Sequence, residues 1–199
     1  MTEILVLYFS RHGSVARLAK DISHGVESVS GCSARVRTVP GISANTEATE
    51  DSIPISGPPF ASPSDLDECD GIIIGSPAYF GNMSAPVKYF LDQSTPQWLS
   101  GALVNKPAAA FTSSSSLHGG QEMALLSMLI PLMHHGAILV GIPYTEESLN
   151  TTNSGGTPYG ASHVSGQDSK QPFSEDEKKL CNALGKRVAT IARQLSLRS

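Results

Sequence analysis

Unbroken apolar runs constrain this chain more than anything else in it. Ile4-Leu-Val-Leu-Tyr-Phe9 and Gly71-Ile-Ile-Ile-Gly75 carry no alternation of apolar and polar residues. A strand with one wet face alternates; an unbroken run needs cover on both faces, as in a parallel sheet between layers of helices. Between the runs the period changes. Val15, Leu18, Ala19, Ile22 and Val26 recur at helical spacing within residues 14–29, and Gly31 suits a helix stop. Residues 35–39, 107–112 and 137–140 read as further strands, and 84–93 and 120–134 as helices. Ser174-Glu-Asp-Glu177 is a capping box opening a last helix that runs to residue 195. Strands alternating with helices predict an α/β fold: a five-stranded parallel sheet with helices on both faces. Residues 1–199 read as one domain with long irregular loops at about 40–65 and 143–172.

Charge and cysteine usage narrow the function. Lys and Arg number 14 against 18 Asp and Glu, a formal net charge of −4, with no basic run. Nucleic-acid binding through a basic patch is therefore not expected. The mild charge also argues against the acidic face of a small electron carrier. Cys32, Cys69 and Cys181 are odd in number and far apart. They read as free thiols in a reducing, cytoplasmic setting, with neither a disulfide framework nor a metal site. No secretory leader is expected, since the first apolar run is short and follows Glu3. Residues 123–142 lack formal charge over a length that could cross a bilayer. Pro131, His134, His135 and Gly136 interrupt them, and they read as a buried helix, a break and a buried strand.

Ligands of parallel α/β sheets sit beyond the carboxyl ends of the strands. After the first strand comes Ser10-Arg-His-Gly-Ser14, with no acid before Asp21. Such a turn suits a phosphate at a helix N-terminus, or it is an ordinary strand-to-helix turn capped by Ser14. After the third strand comes Ser76-Pro-Ala-Tyr-Phe-Gly-Asn-Met83. It reads either as a surface for a flat ring, with Gly81 allowing close approach, or as a packed turn. After the fourth comes Thr112-Ser-Ser-Ser-Ser-Leu-His-Gly-Gly120, able to bond a heterocycle edge or to serve as a flexible linker. Together the three loops suit flavin mononucleotide (FMN). Trp98, beside Gln97, Ser100 and Gly101, fits a partly exposed pocket wall or the core. His134 and His135 are adjacent and so do not share a helix face.

At this point the chain resembles a specific family. Val6-Leu-Tyr-Phe-Ser10, Gly75-Ser-Pro-x-x-Phe-Gly-Asn-Met83, Phe90-Leu-Asp92, Trp98 with Ser100-Gly-Ala-Leu103, Gly119-Gly-Gln-Glu122, His134-His-Gly136 and Gly155-Gly-Thr-Pro-Tyr-Gly160 are similar to the WrbA family. Its members are flavodoxin-like, FMN-dependent NAD(P)H:quinone oxidoreductases. The resemblance spans essentially the whole chain and implies strand order 2-1-3-4-5. For FMN it implies contacts from Ser10, Arg11, His12, Gly13, Ser14 and Val15 at the phosphate. At the ring it implies Pro77, Ala78, Tyr79, Phe80 and Gly81, then Thr112, Ser113, Ser114, Ser115, Ser116, Leu117 and His118, and also His134. It implies Trp98, His134 and Tyr144 as substrate-pocket residues, NADH or NADPH and a quinone as substrates, and a homotetramer; His134 is then the expected acid. The chain departs from the family at His12, often Tyr there, and at Tyr79, often Arg. An alternative from a different class is an FMN-binding redox-sensing or interaction protein with little turnover.

Overall fold

A computed structural model describes residues 1–42, 54 and 57–197. Its strands are β1 (Thr2–Tyr8), β2 (Cys32–Thr38), β3 (Gly71–Pro77), β4 (Pro107–Ser114), β5 (Ile138–Leu139) and β6 (Ala161–Val164). Its helices are α1 (Ser14–Glu27), α2 (Ser64–Glu68), α3 (Ala85–Asp92), α4 (Thr95–Ser100), α5 (Gln121–His134), α6 (Ser148–Thr151) and α7 (Glu175–Ser196). The sheet is parallel in the order β2-β1-β3-β4-β5, with β6 also paired to β4.

The apolar runs sit where an unbroken pattern requires. Ile4 and Val6 face one core with Leu18, Ile22, Leu184 and Val188 of α1 and α7. Their neighbours Leu5 and Leu7 face the other, with Val87 of α3 and Leu125 and Met128 of α5. One strand thus feeds two cores, and each buried aliphatic side chain contributes ~1.5–3 kcal/mol. Gly75 of β3 has no room for a side chain: a Cβ there would lie 2.2 Å from the ring of Phe111 on the neighbouring strand β4. The capping box of α7 forms as expected, Ser174 accepting from the Glu177 N–H and Glu177 accepting from the Ser174 N–H.

Three expectations are corrected. The fifth strand position is split: β5 pairs with the start of β4, at Pro107 and Ala108, and β6 with its end, at Phe111 to Ser114. The stretch 143–172 is therefore not a plain loop, since it holds α6 and β6. Half of the expected 40–65 loop lies outside the described residues. Its described end carries a bridge from Phe60 to Thr38 and the start of α2. Residues 123–142 form most of α5 and then β5, but with less cover than a buried helix and strand would have. Met123, Ile130 and Met133 are each more than half exposed, and Ile138 and Leu139 about 40%. No described helix is long and apolar enough to cross a membrane. All three cysteines are free and buried, and burial pushes the Cys69 thiol up to about 11.

Candidate functional site

The carboxyl ends of β1, β3 and β4 open into a cleft of about 300 Å³. Ser10, Arg11, His12, Ser14 and Val15 line it from the first loop, Pro77, Ala78 and Tyr79 from the second, and Ser113, Ser114 and Ser115 from the third. Ser165 and Ser169 close a fourth side.

The first loop is built to receive an anion. The hydroxyl of Ser10 accepts from the N–H groups of Gly13 (3.1 Å) and Ala16 (3.3 Å). Gly13 takes φ +90°, in the left-handed region where a side chain would be strained. No hydrogen bond within the described residues takes the N–H groups of Ser14 and Val15, and the first turn of α1 holds no acid. Free donors at the positive end of a helix stabilise phosphate. Arg11 lies exposed against Tyr79, whose hydroxyl as hydrogen-bond partner, with a further charge interaction, raises the guanidinium pKa. That contact joins the first loop to the second.

The second loop is a tight hairpin. Tyr79 and Asn82 exchange N–H···O=C bonds of 2.9 Å each. The two residues between them, Phe80 and Gly81, have φ of +51° and +72°, the signs of a type I′ turn. A bulky residue at positive φ is a genuine outlier, and the Phe80 ring is fully exposed. The turn is fastened to α5: the Met83 N–H donates to the Ser127 hydroxyl at 2.9 Å. A Cβ on Gly120 would sit 2.9 Å from the Cα of Gly81.

The third loop hangs from a buried polar chain. Ser113 accepts from the Ala78 N–H at 2.8 Å. The Ser114 hydroxyl donates to the Ser116 carbonyl (2.8 Å) and accepts from the Gln121 amide (2.9 Å). The Gln121 oxygen in turn accepts from Ser162, which accepts from the Gly156 N–H. Residues 115–118 are exposed beyond this anchor.

Seven of the thirteen lining residues are serines, one is arginine and none is a carboxylate. That donor set matches a dianionic phosphate and a polyhydroxyl chain, and the exposed aromatics Tyr79 and Phe80 match a flat ring at one end. The cleft therefore fits FMN. Thr112 is wholly buried, its hydroxyl donating to the Ser76 carbonyl at 2.8 Å, so it supports the cleft from beneath. Phe80, Gly81, Ser116, Leu117 and His118 lie on the flanking loops.

Trp98, His134 and Tyr144 are not lining residues of this cleft. Helix α5 starts beside Ser114 and runs for 14 residues toward the amino edge of the sheet, about 20 Å at 1.5 Å per residue. His134 therefore sits at the far edge. Trp98 is beside it, ring centroids 5.5 Å apart. The indole is 43% exposed and belongs to no core. Tyr144 is exposed in the segment after β5. Behind His134, His135 is buried and bonded through Nε2 to the Ser94 hydroxyl at 3.0 Å. Its pKa is lowered by burial and then by His134.

Ser165 and Ser169 are the lining residues that sequence reasoning missed. Their one local signal is positive φ at Ser169, +58°, which is a property of the backbone and not of the residue type.

A profile described as NADPH-dependent FMN reductase matches residues 9–145. A protein of Trichlorobacter lovleyi named NAD(P)H dehydrogenase (quinone) is 39% identical over 98% of this chain and 100% of its own. A protein of the same name from Syntrophobacter fumaroxidans is 38% identical over 98% of each chain. Among solved structures, a WrbA-like flavodoxin from Agrobacterium tumefaciens superimposes with a TM-score of 0.67. It is 25% identical, over 98% of this chain and 99% of that one.

Proposed function

The chain belongs to the NADPH-dependent FMN reductase family, and we propose that it passes two electrons from NAD(P)H to a quinone. The observation that carries this reading is the carboxylate-free, serine-lined cleft at the ends of β1, β3 and β4. FMN, when bound, supplies the two-electron chemistry: NAD(P)H, a proton and a quinone become NAD(P)⁺ and a hydroquinone.

Ser10 shapes the phosphate cradle, and the free N–H groups of Ser14 and Val15 bind there. The loops at 77–81 and 112–118 orient the ring. Both substrates use the same face in turn, which makes the kinetics ping-pong. The remaining parts come from assembly. Trp98 and His134 face away from their own chain's cleft, while Met123, Ile130 and Met133 form an apolar stripe on α5. Burying that stripe between copies in closed symmetry brings Trp98, His134 and Tyr144 to a neighbour's cleft. There Trp98 and Tyr144 exclude water from a flat quinone, and His134 delivers a proton to it. A tetramer of single-domain chains in the cytoplasm is the proposed form. Buried free thiols suit that compartment.

The test is optical and kinetic. Protein loaded with FMN should lose its visible flavin absorbance with NADH or NADPH under anaerobic conditions and regain it with benzoquinone. Initial rates should give parallel double-reciprocal lines. Binding of FMN without turnover would favour a redox-sensing or interaction protein instead.

A further inference from the structure

We propose that Phe173 is a positioning residue, clamped between His163 and Arg17, that sets the phosphate end of the cleft. This rests on the reading that the cleft takes FMN.

The fourth wall of the cleft, residues 165–174 between β6 and α7, contains no strand or helix. At its near end the Ser165 N–H and hydroxyl both donate to the Ser114 carbonyl, at 2.8 and 3.0 Å. The Gln171 N–H donates to the Ser165 carbonyl at 2.9 Å and folds the loop back. At its far end the Phe173 ring lies flat on the His163 imidazole, centroids 3.8 Å apart and planes within 12°. The Arg17 guanidinium lies over Phe173, 5.6 Å from its centroid. In contact with both, Phe173 thus joins β6 to the first turn of α1, the turn that carries the free N–H groups.

The His163 side of the clamp is fixed from behind. His163 Nδ1 and Glu177 Oε2 are 3.0 Å apart, and both side chains are 1% exposed. The same carboxylate accepts from the N–H groups of Gly155 (2.9 Å), Val164 (3.2 Å) and Ser174 (2.8 Å). Burial raises the pKa of Glu177, but His163 and these backbone donors outweigh it and hold the carboxylate ionised. A carboxylate with four partners cannot shift without losing several at once, so the imidazole has a rigid backing and the Phe173 ring a rigid floor. The thickness of the stack then sets how far Ser169 stands from α1. Without the ring, residues 165–171 keep their bonds to Ser114 and to each other, but the tie to α1 is gone. The loop at 77–81 is untouched and the bonds of Ser165 to Ser114 remain, so the loss falls on the phosphate more than on the ring.

The experiment compares affinities for FMN and for riboflavin, which lacks the phosphate, by quenching of flavin fluorescence. Wild-type protein should prefer FMN. Phe173→Leu should weaken FMN binding at least fivefold and leave riboflavin within twofold. Phe173→Tyr, which keeps a ring, should match wild type for both. If Phe173→Leu does not fold, Arg17→Lys keeps the charge but loses the planar stack, and it should reduce the preference for FMN at least twofold. Equal loss for both flavins, or no change in the ratio, overturns the clamp alone. Wild-type protein that binds neither flavin overturns the cofactor reading, and the clamp with it.

Discussion

The indole of Trp98 stacks on the imidazole of His134, centroids 5.5 Å apart and planes inclined at 30°, at the edge of the sheet opposite the cleft. A contact so far from the phosphate loop has a definite consequence. Trp98→Ala should leave FMN affinity unchanged. It should raise the quinone KM by about tenfold or less, since an aromatic wall contributes ~0.5–1.5 kcal/mol beyond area burial. Because the indole is 43% exposed, the stability loss should fall well short of the ~3–5 kcal/mol of a core tryptophan. Thermal melts and quinone kinetics on the one variant check this. A drop in FMN affinity would contradict the geometry.

The stripe on α5 gives a second expectation. Ile130→Glu places a charge in the middle of Met123, Ile130 and Met133, which are exposed in the single chain. Light scattering should show the wild type as a tetramer and the variant as a smaller species at micromolar concentration. The variant should keep FMN but lose most quinone turnover, since on the proposed assembly a neighbour's Trp98 and His134 complete the cleft. A variant that stays tetrameric argues against this face as the contact.

His135 sets a pH dependence. Burial and His134 hold its pKa below the ordinary 6.5, so the unfolded chain takes up the proton first as pH falls. Its contribution is fully present above about pH 6.5 and declines on acidification from there toward the lower folded value. The urea midpoint should therefore drop between pH 6.5 and 5, and His135→Gln should flatten that slope while losing stability at pH 7.5. An unchanged slope in the variant would show that other groups govern acid sensitivity.

Much of this was legible in the sequence because it is written locally. Unbroken runs such as Ile4 to Phe9 place strands between two helix layers, and Ser174 with Glu177 marks a helix start at a spacing of three. The loops after β1, β3 and β4 follow from where ligands sit in such sheets. The fourth wall was not legible. Strand β6 is only Ala161-Ser-His-Val164, and the partners of its polar residues, Gln121 and Glu177, lie 41 and 14 positions away. Glu177 looked like a cap alone, although its carboxylate also ties Gly155 and Val164. The remoteness of His134 is a rule of topology: a helix between parallel strands must run back to their amino edge.

Charge at the phosphate loop should be decisive. Ser10 and Ser14 border the free N–H groups at the start of α1. Replacing both with Asp sets carboxylates against the FMN phosphate. Two charges roughly 6 Å apart repel by ~2–3 kcal/mol at an effective dielectric near 20. FMN affinity should fall by roughly a hundredfold or more, with riboflavin affected far less. Equilibrium titration of both flavins measures this, and unchanged FMN binding would remove the phosphate from this loop.

The turn at Phe80 should show stability and function pulling apart. Its φ of +51° and full exposure mean that the ring adds strain and no packing within its own chain. Strain of this kind costs about 1–2 kcal/mol. Asn tolerates positive φ, and Asn followed by Gly is the preferred pair for a type I′ turn, so Phe80→Asn keeps the hairpin of Tyr79 and Asn82. The chain without flavin should gain ~1 kcal/mol, roughly 2–4 °C in Tm for a domain of this size. On the proposed placement the flavin ring, by contrast, loses an aromatic neighbour at the lip of the cleft, and affinity for FMN and riboflavin should fall together by several-fold. Gly120 packed against Gly81 keeps the turn in place in both proteins, so a shifted loop cannot explain the loss. If Phe80→Asn instead lowers both Tm and flavin affinity, the ring is needed for folding or assembly, and the strain is offset by contacts between chains. Repeating the melt on the dissociated Ile130→Glu background separates those two cases.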